Sequence, residues 1–314
     1  MEKAMILAFD TSCYTTSVAL IGFDGTIKAD CRQVLQVKPG ERGLQQSTAI
    51  FQHLGNLPRL LGSCRPSSLV AVAAATVPRP VEGSYLPVFK VAASFGESVA
   101  RLAGVPFIET SHQEGHIRAG LYGQALNGDP FLAWHISGGT TELLYVTPKE
   151  AGFGIAKIGG SSDLHAGQFV DRVGVALGTP FPAGPHLEKL AMASSTERSL
   201  PVVTDGLTLS FSGPESAAQR LVGSVPPADL ARQVFHCIGR SLWNVTRKAA
   251  EQYRVRQVLM VGGVASSRLV KAYLTEREAE ADIRFAFARP ELASDNAVGV
   301  GLIGYDRWKR GALE

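Results

Sequence analysis

Two histidines four residues apart, in His112-Gln-Glu-Gly-His116, are the residues of this chain best suited to hold a metal ion. At that spacing both imidazoles lie on one helix face and can ligate a single cation. A metalloprotease of the HExxH type needs its glutamate directly after the first histidine. Here Glu114 stands third, about 200° around a helix from His112, so that chemistry is excluded on geometry. A cation held by two imidazoles needs a third ligand. Asp295, in Ser294-Asp-Asn296 just ahead of an expected terminal helix, is the candidate. Two histidines and one carboxylate suit Zn²⁺ or Fe²⁺. The alternative makes both histidines ordinary residues of a surface helix.

Three further segments have the turn chemistry of an anion cradle: Asp10-Thr11-Ser12, Ser137-Gly138-Gly139-Thr140-Thr141 and Gly262-Gly263. Backbone N–H groups in glycine-rich turns, with hydroxyls nearby, bind phosphate. A P-loop is excluded, because no GxxxxGK[ST] occurs. Asp171, on an expected helix beside Asp163 and Arg172, is placed to accept a hydrogen bond from a ribose hydroxyl; the alternative is an exposed, ion-paired helix charge. Ser210-Phe-Ser-Gly213 reads as a hairpin turn. His53, His135, His186 and His236 have no partner at useful spacing and read as structural. Cys13 has no base at a readable spacing, which argues against a nucleophile. Arg79, Arg101, Arg118, Arg220, Arg247 and Lys248 are dispersed, as solvated charges are, though some are placed to reach phosphates of a folded RNA.

The elements that position these residues follow from hydrophobic patterning. The segments 5–20 and 131–146 each read as an apolar strand, a polar turn and a second apolar strand. At an offset of 125, Leu7, Ala8, Ser12, Thr15 and Thr16 match Leu132, Ala133, Ser137, Thr140 and Thr141. This echo predicts two lobes of one plan. Strands are expected at 69–75, 105–108, 258–261 and 284–287. Helices are expected at 44–61 (broken or kinked at Pro58), 88–103, 167–177, 230–253, 267–277 and 295–308, with a turn at Pro182-Ala-Gly-Pro185. Alternating strands and helices predict an α/β fold of two lobes, 1–110 and 111–314, with the terminal helix free to pack back on the first lobe.

With 314 residues, 45% hydrophobic and 19% charged, the chain is long enough for a core in each lobe and is not disordered. A net charge of +3 neither announces nor excludes a nucleic-acid partner. No apolar run approaches membrane-span length and the N-terminal residues lack a signal-peptide pattern, so no membrane partner is expected. Four scattered cysteines without a CxxC predict no disulfide framework and fit a reducing, cytoplasmic setting.

The first hairpin, the HxEGH string, the SGG-T loop, the Phe-Val-Asp171 helix, the P-x-GP turn, SFSG, Met260-Val-Gly-Gly-Val264 and the late Ser-Asp-Asn occur in an order that resembles the tRNA threonylcarbamoyladenosine synthase family of the TsaD type. The likeness runs from about Met5 to Gly311. It implies the duplicated actin-like ATPase (ASKHA) fold, with mixed sheets flanked by helices. It also implies an acyltransferase that moves threonylcarbamoyl from an adenylate to adenosine 37 of tRNA, or to another acceptor. His112, His116 and Asp295 match the family's ligands for one divalent metal, iron or zinc. Ser137, Gly138, Gly139 and Thr140 match the loop that holds the nucleotide, ATP or threonylcarbamoyl-AMP. Thr11, Asp171, Gly184, Gly262, Gly263 and Ser267 complete that frame, Ser267 at a base-contact position usually occupied by Asn. A paralogous actin-like protein and a small ATPase are the protein partners the likeness implies. The chain departs from the pattern where catalysis is expected. Tyr14 and Thr15 replace an acidic pair, Thr140 replaces a histidine, and Val77 to Gly83 replaces a glycine-rich segment. These departures mark a divergent paralogue, with unassigned catalytic groups at positions 15 and 140. They leave open a non-catalytic, nucleotide-binding partner of a true synthase. A sugar or acetate kinase of the same fold ranks last, since its catalytic aspartate is missing near His135.

Overall fold

A computed structural model describes residues 4–12, 14–37, 44–124, 126, 128–150 and 152–311. In chain order the elements begin with β1 (Ala4–Ser12), β2 (Thr15–Gly22), β3 (Ile27–Val34), α1 (Gln46–Ser63), β4 (Ser68–Val77), α2 (Phe89–Ala103), β5 (Phe107–Ser111) and α3 (His112–Gly120). The second hairpin follows as β6 (Phe131–Ile136) and β7 (Thr141–Lys149), then β8 (Gly152–Ser161), α4 (Ala166–Ala176), α5 (Gly184–Ala191), β9 (Val203–Asp205), β10 (Thr208–Ser210), α6 (Ser212–Leu221) and α7 (Pro227–Tyr253). The chain ends with β11 (Gln257–Val261), α8 (Arg268–Thr275), α9 (Glu278–Ala281), β12 (Arg284–Phe287), α10 (Pro290–Ala293) and α11 (Val298–Lys309).

The repeat seen in the sequence is a repeat of topology. One sheet runs β3-β2-β1-β4-β5, and the other contains β8-β7-β6-β11-β12 in the same order. In each, the echoed hairpin is antiparallel (Leu7 opposite Leu20, Leu132 opposite Tyr145), and its first strand pairs parallel with a later strand, β4 or β11. The second sheet extends beyond β8 through β10 and β9.

The chain divides into two units. The first is Met1–Tyr122 with Pro148–Gly154 and Asp295–Glu314; the second is Gly123–Thr147 with Ile155–Ser294. This differs from a division at 110/111, because α3 and α11 belong with the first sheet. One face of that sheet, with Leu7, Phe9, Val18, Leu20, Val72 and Ala74, packs under α1 and α2. The other face takes α11: Gly301 lies on Ala8 and Ile21, and Gly304 on Ile6 and Ala73. In the second unit α7 crosses a core of Leu132, Trp134, Phe169 and Phe211, and Trp134 Nε1 donates to Thr246 Oγ1 at 2.8 Å.

Several local expectations are corrected. Helix α1 continues unbroken through Pro58. Pro185 is the second residue of α5 instead of continuing a turn, at a place where a helix leaves the backbone N–H without an intrahelical partner and proline is tolerated. Ser210-Phe-Ser-Gly213 ends β10 and begins α6, with Phe211 buried and stacked on Phe169. Cys31 and Cys64 are joined in a disulfide, since α1 returns over β3 and brings residues distant in sequence to a Cα separation of 6.7 Å. Cys13 lies outside the described residues. No helix among the described residues is long and apolar enough to cross a membrane.

Candidate metal centre and nucleotide frame

The candidate metal centre is built on α3, whose start is written into its sequence. Ser111 is the N-cap and Glu114 completes a capping box: Ser111 Oγ accepts from the Glu114 N–H at 3.1 Å, and Glu114 Oε2 accepts from the Ser111 N–H at 3.1 Å. Glu114 Oε2 also accepts from Thr110 Oγ1 at 3.0 Å. The glutamate of the HxEGH string is therefore buried in its own helix cap.

His112 and His116 stand one turn apart, their Nε2 atoms 3.1 Å from each other. Asp295 Oδ1 lies 3.2 Å from His116 Nε2 and 3.6 Å from His112 Nε2. The long-range contact that brings Asp295 here is a close approach of α11 to α3. A Cβ on Gly299 would stand 1.8 Å from the Gly115 carbonyl oxygen, so only glycine fits. Gly115 sits between the two histidines, and Asp295 just precedes α11.

Three ligand atoms thus converge within 4.8 Å. An ion with bonds of about 2.0–2.1 Å in tetrahedral geometry keeps its ligand atoms roughly 3.3 Å apart, which the observed separations bracket. The donor set and its spacing fit a divalent ion of the zinc or iron type. Burial opposes charge on His112, but Asp10 and Asp295 outweigh it and raise the imidazole to about 9. Burial likewise opposes charge on Asp295, yet the hydrogen bond from His116 and the charges of His112 and His116 hold it well below the usual carboxylate range. Asp10 and Asp295 together thus favour positive charge at this point.

Strand β1 reaches the same place, in a different role from the anion cradle its sequence suggests. Asp10 Oδ2 lies 2.7 Å from His112 Nδ1, and Ser12 Oγ donates to Asp295 Oδ2 at 2.8 Å. The Ser12 N–H donates to Asp10 Oδ1 at 2.9 Å. Thr11, wholly buried, donates to the Val88 carbonyl at 2.8 Å and accepts from the Ala92 N–H at 3.1 Å. Its hydroxyl anchors α2. Thr15 is buried opposite Ser12, while Tyr14 is exposed and its carbonyl accepts from the Leu35 N–H.

The other expected residues lie in the second unit and are linked to one another. The turn from Ser137 to Thr140 closes the β6–β7 hairpin, the Ser137 N–H donating to the Thr140 carbonyl at 2.8 Å, and Gly138 and Gly139 are exposed at its tip. Thr141 Oγ1 accepts from the Ala166 N–H at 2.9 Å, fixing the first turn of α4 beside this loop. Gly262, at φ 99°, lies against the end of β6: a Cβ there would meet the Ile136 carbonyl oxygen at 2.2 Å. Gly263, next to it, is exposed.

Asp171 on α4 is half-buried, not an exposed ion-paired charge. Burial raises its carboxyl, offset by hydrogen bonds from the Ala183 N–H, at 2.7 Å, and from the Gly184 N–H. It thereby fixes the start of α5. Ser267 caps α8 and donates to Glu188 Oε1 at 2.5 Å. Sequence reasoning passed over Glu188, and over Asp10 and Ser12 as partners of the metal ligands. For Glu188 a signal existed, a carboxylate one turn after Gly184; for the other two, the pairing depends on strands and helices far apart in the chain.

Solved structures share this architecture, the duplicated actin-like (ASKHA) fold. HypF of T. kodakarensis matches with a TM-score of 0.66 at 13% identity, over 99% of this chain and 48% of that one, so the chain spans about half of HypF. Component A of the (R)-2-hydroxyglutaryl-CoA dehydratase of Acidaminococcus fermentans matches at 0.57 and 14%, over 98% and 99% of the two chains. A ROK-family glucokinase of Streptomyces griseus matches at 0.54 and 10%, over 95% and 98%. Within that fold class the family model for TsaD, tRNA N6-adenosine threonylcarbamoyltransferase, matches residues 62–302, and the chain belongs to this family. Proteins of that name from Halalkalibacterium halodurans and Synechococcus sp. (strain CC9902) are 30% and 28% identical, each over 98% of this chain and 92% of the relative.

Proposed function

We propose that this chain is a metal-dependent carbamoyl-type transferase that takes threonylcarbamoyl from an adenylate and passes it to the exocyclic amine of an adenosine in tRNA. The observation that carries the reading is the convergence of His112, His116 and Asp295 on one point. A divalent ion bound there supplies positive charge and Lewis-acid polarisation for the phosphate end of the donor. The exposed turn from Ser137 to Thr140, with Gly263, offers backbone N–H groups to an anion. Asp171, Gly184, Gly262 and Ser267 form the frame around the nucleoside. Thr15 and Thr140 stand where the family likeness implies an acid and a histidine, and Tyr14 where it implies the other acid. None of the three accepts a proton as readily as a carboxylate does.

That loss of carboxylates favours a second reading, a nucleotide-binding partner of an actin-like synthase. One experiment separates the two. The purified chain, loaded with Zn²⁺ or Fe²⁺, is mixed with threonylcarbamoyl-adenylate and unmodified tRNA, and the digested nucleosides are analysed by mass spectrometry. Threonylcarbamoyladenosine formed by the wild type and lost in His112→Ala supports the transferase. Metal-dependent adenylate binding without product supports the partner reading, and absence of both metal and adenylate binding sinks both.

A further inference from the structure

We infer that β1 supplies the outer shell of the metal centre, with Asp10 and Ser12 as positioning residues that select which atoms of His112 and Asp295 face the ion. The inference rests on the metal reading above and goes beyond its three ligands.

Each imidazole has two nitrogens, and only one can point to the centre. In His112, Nε2 faces His116 Nε2 and Asp295 Oδ1 at 3.1 and 3.6 Å, whereas Nδ1 faces Asp10 Oδ2 at 2.7 Å. A carboxylate at that distance accepts the Nδ1–H, which leaves the Nε2 lone pair for the metal and makes the imidazole a stronger donor. Asp10 is itself held: its side chain is about 1% exposed, and Oδ1 accepts from the Ser12 N–H at 2.9 Å. The same residue that fixes Asp10 through its backbone fixes the other ligand through its side chain. Ser12 Oγ donates to Asp295 Oδ2 at 2.8 Å, so Oδ1 is the oxygen turned to the histidines. Two residues apart on one strand, Asp10 and Ser12 point to the same side. Thr11 points to the opposite side and ties the strand to α2 through Val88 and Ala92. The polar Asp-Thr-Ser end of an otherwise apolar strand therefore has a specific purpose in the first unit: it orients a histidine and a carboxylate that arrive from α3 and from the start of α11.

The test measures Zn²⁺ affinity by competition with a chromophoric chelator for wild type, Asp10→Asn, Asp10→Ala, Ser12→Ala and His116→Ala. It is combined with ¹⁵N NMR of the histidine-labelled, Zn²⁺-loaded protein. Loss of an outer-shell partner is expected to weaken zinc about 10- to 100-fold, most in Asp10→Ala and less in Asp10→Asn, which keeps an acceptor oxygen. Ser12→Ala is expected to lose several-fold, near the lower end of that range. The His112 resonances should show a proton on Nδ1 and zinc on Nε2, a readout that a purely structural role for Asp10 does not require. Wild-type affinity in Asp10→Ala, or zinc on Nδ1 of His112, overturns the inference while leaving the metal reading intact. If wild type and His116→Ala alike bind no zinc, the metal reading itself fails, and this inference with it.

Discussion

At the scale of single residues, the centre shows how a side chain's task depends on its second partner. His116 is almost fully buried and is, on the proposed reading, a ligand itself, so His116→Ala should cost more zinc affinity than the roughly 10- to 100-fold of an outer-shell loss. Chelator competition measures this, and an affinity within a factor of about two of wild type would remove His116 from the ligand set. Cys237 gives an independent residue-level prediction. It is fully buried with Sγ 3.2 Å from the Pro201 carbonyl, and burial pushes the thiol up to about 12. In the unfolded chain a thiol ionises near pH 8.5, about. The native state therefore keeps a proton that the unfolded state loses, and this contribution is complete below that pH. It is lost as pH rises towards 12, at about 1.4 kcal/mol per pH unit. Urea unfolding at pH 8 and pH 10 should show a steeper fall for wild type than for Cys237→Ala; equal slopes would refute the argument.

At the scale of elements, the site depends on two helices that touch backbone to backbone. Gly115 and Gly299 let α11 lie directly on α3, and Asp295 arrives beside the histidines because of it. Gly299→Ala forces the helices apart, with an expected cost of about 1–3 kcal/mol or more and weaker zinc binding, both measurable by denaturation and chelator competition. The control is Gly55→Ala in α1, where an added Cβ meets nothing within 4 Å. There the better helix propensity of alanine should leave stability unchanged or raise it by about 0.5–1 kcal/mol. Equal destabilisation by both changes would show that helix contact is not what Gly299 provides. Much of this level was legible in advance. The two hairpins, α2, α4, α7 and β11 follow from hydrophobic periodicity, and the His112–His116 spacing follows from the helix repeat. The short elements α5, α6, β9 and β10 were not, because three to ten residues carry too little periodicity to separate strand, helix and turn.

At the scale of the whole molecule, the first unit is discontinuous in sequence. Its sheet is closed on one face by α11, whose Val298, Val300, Leu302 and Ile303 are buried. Burying four such side chains contributes on the order of 10 kcal/mol, comparable with the entire stability of a typical domain, about 5–15 kcal/mol. A fragment ending at residue 110 should therefore fail to fold, despite containing the complete β3-β2-β1-β4 arrangement, and circular dichroism with amide NMR dispersion checks this. A cooperatively folded, monomeric fragment would show that α11 is dispensable to the first sheet. The family match and the repeated strand order act at this scale too. Both extend over most of the chain, and neither depends on the substituted turn at positions 14 and 15.

The sequence alone determined the α/β class, the duplicated plan and the candidate ligands, because periodicity, turn chemistry and motif spacing are properties of neighbours along the chain. The tertiary structure decided which of those residues meet. It turned Asp10 and Ser12 from an expected anion cradle into partners of His112 and Asp295. It made Glu114 a helix cap, gave Thr11 to α2, and joined Cys31 to Cys64. Each of these outcomes follows from where α1, α2, α3 and α11 settle on the first sheet, and that placement is set by burial and by close backbone approach between segments as much as 283 residues apart.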